Sequence, residues 1–379
     1  MGVLCGIVGK RDEAVVKAML HTLRSRPGTA ETHSDTHYTI AGTGPSARVL
    51  VDGAPLTRDG QAANLVALHK ALEHSDSTMR PDIQGPFACA FLASTGSRAW
   101  LMRDRLGRKP LYYYSGDGFL IFASELKALL ASGIVPRHLR LRSVDRFLTL
   151  RCVPEPDTIL QEVYRVRPGH MLEFNEGQVK ETQFDGFHIE SMKQKRDASA
   201  EQLLGHLSRS VANLPHNHLL LSSGLDSALL GALMPHPRAL HVSMEKSWQD
   251  ELRQTRESAS RVNADMEIRQ ARRLTKDIFL NTVRCLDEPV ADANAFPLSL
   301  MLEAAAREES SWATGHGADE LLGGYPRYHF LQKARGAQSL VPVNLLSAFM
   351  PALPPNAFVR RTGRYLTSIH DDARAMLSL

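Results

Sequence analysis

The chain has 379 residues, enough for two domains of ordinary size, and its 43% hydrophobic and 23% charged residues are typical of globular proteins. The net charge of +4 comes from 45 basic and 41 acidic residues spread along the chain, so no basic surface predicts nucleic-acid binding. The four cysteines form no CxxC pair and no apolar run reaches the roughly 20 residues that span a bilayer, so we expect a cytoplasmic protein without a disulfide framework, structural zinc or a membrane partner.

Short strand-like runs bounded by Gly, Asp and Ser dominate the first half of the chain. They include HYTIAGT, SARVLVDG, FACAFLAS, RAWLMRD and LYYYSGDGFLIFAS. Helical patterns interrupt these runs over residues 13–24, 62–73 and 124–133. Strands with a few segregated helices predict a layered α+β fold for this half.

The second half alternates strands with helices. HLLLSS, ALHVSM and SWATGHG are strand candidates, and helices are predicted over 227–233, 250–262 and 297–309. This alternation predicts an α/β domain with a parallel sheet and right-handed crossovers. We therefore divide the chain into a first domain at 1–187, a polar linker at 188–202 and a second domain at 203–379.

The string SSGLDS, residues 222–227, interrupts a run of leucines between a predicted strand and a predicted helix. At that place the free N–H groups and the dipole of the helix favour a phosphate. Gly224 allows close approach of the backbone, and serine hydroxyls donate hydrogen bonds to oxyanions. Asp226 beside a phosphate requires a cation such as Mg²⁺ between them. The competing interpretation is a helix capped by Ser223 or Asp226.

Motifs along the whole chain carry a resemblance to a known family. The SSGLDS string and the segment DEPVADANAFPLSLMLEAAAREESSWATGHGADELLGGYPRY, from Asp287 to Tyr328, resemble the synthetase domain of glutamine-dependent asparagine synthetases. CGIVG at Cys5, RDRLGRKPLYY at Arg103 and FASELKAL at Phe122 resemble the class II glutamine amidotransferase domain of the same family, as do GPFACAFL and VPEPDTILQEVYRVRPGHML. The resemblance implies an N-terminal nucleophile-type αββα sandwich followed by an adenine nucleotide α-hydrolase-like, Rossmann-like parallel-sheet domain.

The resemblance also implies a reaction: ATP- and Mg²⁺-dependent amide formation through an acyl-adenylate, with release of AMP and pyrophosphate. The default is asparagine synthesis from aspartate, with glutamine or ammonia as the nitrogen donor. By match to the family's motifs, ATP and pyrophosphate are assigned to Leu221, Ser222, Gly224, Leu225, Asp226, Ser227, Thr314 and Gly315. The metal is assigned to Asp226 and Asp319, with Glu320 nearby. Acidic residues that offset a helix dipole are the competing interpretation of GADELLGG.

In the amidotransferase half the resemblance implies a catalytic role for Cys5 only if this residue is exposed as the N-terminus, because the α-amino group acts as the base. A start at position 4, or cleavage after it, would expose Cys5. Glutamine binding is assigned to Arg26, Asp52 and Gly53. Ala54 stands where the family has glutamate, and losing that ion partner costs about 1.5–3 kcal/mol of glutamine binding.

Two further departures concern the synthetase half. His316 stands where the family has glutamate, and it either acts as a base or only fills space. Family members also continue well past this length, with a basic residue at the nucleotide. Arg360, Arg361 and Arg364 match no motif, so we expect a homodimer or a partner that supplies the missing C-terminal part.

Two alternatives to asparagine synthesis stay open. The first is the same adenylate and amide chemistry on a specialised substrate with an inactive glutaminase domain, as in the relatives that form β-lactams and lasso peptides. The second is a non-catalytic protein that binds a nucleotide or a partner.

Overall fold

The computed structural model describes residues 2–23, 30–55, 61–74, 81–186, 200–214, 217–243, 249–270, 275–292, 294–305, 312–325 and 328. The chain divides into two compact units. The first comprises Met1–Lys195 and Lys276–Asp292, and the second Arg196–Thr275 and Ala293–Leu379. The segment 276–292 therefore belongs to the first unit, although it follows most of the second unit in sequence.

The first unit contains two sheets whose pairings are antiparallel. The first sheet has the order β2-β3-β1-β8-β7-β9 and is formed by β1 (Leu4–Val8), β2 (Glu31–Ser34), β3 (Tyr38–Gly42), β7 (Tyr112–Gly116), β8 (Phe119–Ala123) and β9 (Val163–Arg165). The second sheet has the order β11-β10-β6-β5-β4 and is formed by β4 (Val49–Gly53), β5 (Phe87–Leu92), β6 (Arg98–Arg103), β10 (His170–Asn175) and β11 (Gln178–Gln183).

Helices cover the outer faces of both sheets. The first unit has the helices α1 (Glu13–Leu23), α2 (Leu65–His74), α3 (Leu126–Ala131), α4 (Leu141–Leu150) and α8 (Lys276–Leu286). One apolar cluster fills the space between the sheets, a second packs α1 and α3 on the first sheet, and a third packs α2 on the second sheet. Because neighbouring strand residues face opposite layers, Leu4 points between the sheets and Cys5 points towards α1 and α3. These four layers confirm the αββα sandwich.

The second unit contains a parallel sheet in the order β12-β13-β14, flanked by helices. Its elements are α5 (Ala200–Ala212), β12 (His218–Leu220), α6 (Leu225–Leu233), β13 (Arg238–Ser243), α7 (Gln249–Arg261), β14 (Asp265–Gln270), α9 (Ala295–Ala305) and α10 (Ala318–Leu322). One face of this sheet packs against α5, α6 and α7, and the other packs against α9. The parallel strands and intervening helices confirm the predicted α/β class.

Several elements differ from the sequence-based predictions. SWATGHG does not form a full strand, because Ala313 makes only an isolated parallel bridge to Leu219. The third strand is β14, whose polar and half-exposed sequence DMEIRQ did not predict it. Helices α4 and α8 were not predicted either, and both leave large apolar side chains exposed. Among the described residues, every helix is too short or too polar to span a bilayer.

Candidate functional site

The predicted nucleophile, Cys5, lies inside β1 in the first unit. The strand pairs it with Ala41 of β3 on one side and with Ala123 of β8 on the other. The thiol is fully buried in the apolar layer formed with α1 and α3, and burial raises the pKa of Cys5 from 9.0 to about 12. A thiol with this pKa stays protonated at neutral pH, so in this conformation it is a poor nucleophile.

Two other predicted amidotransferase residues, Asp52 and Gly53, lie at the end of β4. Asp52 is fully buried, and its Oδ1 lies 3.0 Å from Nζ of Lys109. Gly53 has a φ of 112°, and a Cβ there would lie 2.0 Å from the carbonyl oxygen of Pro86, so only glycine fits. Arg26 lies outside the described residues. The charge of Asp52 is therefore already engaged within the protein, by a lysine that we did not single out from the sequence.

In the second unit, the chain leaves β12 for the SSGLDS loop at Leu221. The amide of Leu221 donates to the carbonyl oxygen of Leu240 at 3.0 Å, and the Nδ1 of the buried His241 lies 3.1 Å from the carbonyl oxygen of Leu221. A carbonyl oxygen only accepts, so Nδ1 carries the proton in this contact. Both polar backbone groups of Leu221 are thus fixed by β13. The histidine inside the apolar ALHVSM run was the signal that could have indicated this contact.

Two serine side chains hold the loop in one conformation. The buried Ser227 hydroxyl accepts the Ser222 amide hydrogen at 3.1 Å and lies 3.0 Å from the Ser222 hydroxyl. The Gly224 amide donates to the Ser222 hydroxyl at 3.2 Å. These contacts place the turn at the N-terminus of α6, where the first amide groups have no partner within the helix. Leu225, the first residue of that helix, is 81% exposed.

The segment after Ala313 lies directly against this loop. Leu220 donates to the carbonyl oxygen of Ala313 at 2.9 Å, and Ala313 donates to that of His218 at 2.8 Å, which adds a bridge beside β12. Gly315 follows, and a Cβ on it would lie 3.0 Å from both the Cβ of Asp226 and the amide nitrogen of Ser227. The structure therefore brings together residues that are about 90 positions apart in the sequence.

The remaining predicted residues continue from Gly315. Thr314 and His316 are both exposed, and the Thr314 hydroxyl lies 2.6 Å from Nδ1 of His316, which fixes the imidazole beside the glycine. Helix α10 then presents Asp319 and Glu320 in its first turn. The Tyr325 hydroxyl donates to Glu320 at 2.6 Å, so this carboxylate is already engaged.

The carboxylates of Asp226 and Asp319 are half-exposed and accept no hydrogen bond from the described residues. Carboxylate oxygens are the ligands that Mg²⁺ prefers, and they suit a cation held jointly with phosphate oxygens. Within the described ranges, no group of three or more histidine, cysteine, aspartate or glutamate side chains forms a metal cluster by itself. A cation bound by these carboxylates would therefore need further oxygen ligands, such as those of a bound substrate.

Comparisons with known proteins find relatives for both halves of the chain. A glutamine amidotransferase domain model matches residues 59–185, and an asparagine synthase model matches residues 209–377. "Asparagine synthetase [glutamine-hydrolyzing] 1" of Bacillus subtilis is 24% identical over 295 residues, which is 73% of this chain and 45% of the relative. A putative asparagine synthetase of Mycobacterium tuberculosis is 27% identical over 299 residues, covering 73% and 44%. The chain thus spans under half the length of these relatives.

Two further likenesses extend the comparison. "Amidase chry2" of Gibberella zeae is 26% identical over 295 residues, which is 70% of this chain and 43% of that protein. Among solved structures, the glutamine phosphoribosylpyrophosphate amidotransferase of B. subtilis aligns with 71% of this chain and 81% of its own, at 12% identity and a TM-score of 0.33. A TM-score this low carries no conclusion, and the fold class rests on the sheet topology described above.

Proposed function

Because the chain belongs to the asparagine synthetase family, we propose that it is an ATP-dependent ligase that forms amides through an acyl-adenylate. The observation that carries the proposal is the contact of Gly315 with Asp226 and Ser227 at the N-terminus of α6. It joins the two motifs assigned to the nucleotide at one end of a parallel sheet, where α/β proteins bind their ligands.

In the proposed mechanism the SSGLDS loop holds the pyrophosphate part of ATP. Free amide groups at the start of α6 donate to phosphate oxygens, while the Ser222–Ser227 pair keeps the turn from rearranging. Asp226 and Asp319 would hold Mg²⁺, which supplies charge neutralisation as pyrophosphate departs. Thr314 and Gly315 would line the nucleotide, and the exposed imidazole of His316, held by Thr314, would take a proton from the attacking amine.

The default substrate is aspartate, giving asparagine with glutamine or ammonia as the nitrogen donor. Two observations favour a second candidate, in which a substrate amine attacks the adenylate and the amidotransferase unit serves as a scaffold. Cys5 is sealed in an apolar layer, and Asp52 is already paired with Lys109. Neither residue is available to glutamine in this conformation. The relative named as an amidase is consistent with amide chemistry on a different substrate.

Release of AMP and pyrophosphate from ATP tests the proposal. Purified protein is incubated with Mg²⁺ and aspartate, together with glutamine, ammonium or neither, and AMP is quantified by chromatography. We expect aspartate-dependent AMP with ammonium, and with glutamine only if Cys5 becomes the N-terminal residue. AMP formed only with another carboxylate and amine would favour the second candidate. Nucleotide binding without AMP under every acceptor would contradict both and leave a binding protein.

A further inference from the structure

The sequence DEPVA, residues 287–291, has no role in the function proposed above, yet it is fixed firmly to the first unit. We call it the docking segment. The carboxylate of Asp287 accepts the backbone amide hydrogens of Leu126 and Lys127, the latter at 2.9 Å. These are the first two amides of α3, whose own N-cap residue, Glu125, makes no side-chain cap. Asp287 therefore caps α3 from about 160 positions away in the sequence.

Further contacts hold the same segment. Glu288 is almost fully buried and pairs with Arg165 at 2.8 Å. The Ala291 amide donates to the carbonyl oxygen of Arg151 at 3.0 Å. A buried ion pair with one partner removed leaves an uncompensated charge, so these contacts specify one docked position.

Helix α3 is also part of the layer that seals Cys5. Leu126 and Leu129 belong to the same buried apolar cluster as the Cys5 thiol. Immediately before this helix, Ser124 makes two hydrogen bonds with Leu4, the residue that precedes Cys5. The Leu4 amide donates to the Ser124 hydroxyl at 3.1 Å, and the Ser124 amide donates to the Leu4 carbonyl oxygen at 2.9 Å. The short stretch 124–129 therefore bonds to the residue before Cys5, packs in the same apolar layer as the thiol and is capped by Asp287.

We propose that the docking segment acts as a latch that keeps the Cys5 thiol buried. While Asp287 and Glu288 are docked, α3 stays capped and the thiol stays buried; when they leave, the start of α3 frays and the thiol becomes accessible. The segment lies within the stretch that matches the asparagine synthase model, and the residues on both sides of 276–292 belong to the second unit. Those flanking residues are covalently joined to the docking segment. Their displacement would thus move the segment and change the accessibility of the Cys5 thiol.

Thiol labelling of the full chain tests this latch without requiring turnover. Native protein in a Cys285→Ala background, which avoids modification next to Asp287, is treated with N-ethylmaleimide at pH 8, and each cysteine peptide is quantified by mass spectrometry. Cys152 is exposed and reports reagent activity. Cys89 is buried in a different cluster, under α2, and reports global opening.

We expect Asp287→Ala to raise the labelling rate of Cys5 about tenfold and to leave that of Cys89 unchanged. Loss of an ordinary helix cap raises the fraction of molecules with an open α3 by about this factor. Asp277→Ala is the matched control, because it removes the same charge from an exposed position of α8. If Asp287→Ala fails to fold, Glu288→Gln weakens the docking while keeping the cap, and we expect a smaller rise in the same direction. Unchanged labelling of Cys5, or equal rises at Cys5 and Cys89, would overturn the proposal.

Discussion

Gly315 lies against Asp226 so closely that a Cβ added to the glycine would be 3.0 Å from the Cβ of the aspartate. This contact joins the turn after β12 to the turn before α10. Both turns carry residues assigned to the nucleotide. The absence of a side chain at position 315 is therefore a direct requirement of the proposed site.

We expect Gly315→Ala to strain this contact and lower both stability and AMP formation. Overpacking of this kind costs about 1–3 kcal/mol, measured as the free energy of unfolding in urea. Gly205→Ala is the control, since a Cβ there meets nothing within 4 Å in the interior of α5. That control should keep its activity and gain about 0.5–1 kcal/mol. Equal activity in the two variants would contradict the assignment of this contact to the site.

Ser227→Ala should disrupt the loop, because it leaves the Ser222 amide without its buried acceptor. We expect a loss of about 1–3 kcal/mol in the free energy of unfolding and weaker ATP binding, followed by calorimetry. Ser223→Ala removes a neighbouring hydroxyl that makes no hydrogen bond with the described residues, and it should leave stability unchanged. A neutral Ser227→Ala would mean that the serine pair does not hold the turn.

Asp226→Asn and Asp319→Asn should each raise the Mg²⁺ concentration needed for half-maximal AMP release, by roughly tenfold or more, because each removes a charged ligand. Glu320→Gln is the comparison variant, since the Glu320 carboxylate is engaged by Tyr325. The measurement is a Mg²⁺ titration at fixed ATP. The ligand assignment fails if Glu320→Gln has the larger effect.

The buried thiols predict a specific alkaline instability. Burial raises the pKa of Cys5 from 9.0 to about 12 and also raises that of Cys89, so both thiols stay neutral in the folded protein while the unfolded chain ionises. The contribution of the buried neutral thiols to the free energy of unfolding is fully present below pH 9 and is lost as pH rises through the folded pKa. Between pH 9 and 10 each thiol should lower the free energy of unfolding by up to about 1.4 kcal/mol.

Urea unfolding at pH 8, 9 and 10 measures this dependence. Cys5→Ala should remove the part of this pH dependence that one thiol contributes. Cys152→Ala, at an exposed position, should leave the slope of the free energy of unfolding against pH unchanged. An identical slope in all three proteins would show that Cys5 is not buried in solution.

Lys109→Met should destabilise the first unit by about 3 kcal/mol or more, because it removes the cation that lies 3.0 Å from the buried carboxylate of Asp52. The double variant Asp52→Asn with Lys109→Met should recover most of this loss. The two single variants and the double variant together form a cycle whose coupling energy is read from urea unfolding. Additive effects would contradict the pairing of these two side chains.

The sequence by itself determined the class of each half and the order of most elements, and it supplied the two motifs that we propose bind the nucleotide. Strand alternation, helical spacing and the SSGLDS turn are local properties, and each is complete within about 10–20 neighbouring residues. Elements with weak local patterns were missed: β14 is polar, and α4 and α8 leave leucine, valine or phenylalanine side chains exposed.

Only the tertiary structure decided which residues meet. The register of β1 sends Cys5 to the helix layer, whereas a slip of one residue would send it between the sheets. The contact of Gly315 with Asp226, the pairing of Asp52 with Lys109 and the capping of α3 by Asp287 join residues far apart in the chain. Such contacts depend on how whole layers pack, because the local sequence around each partner is compatible with many other neighbours.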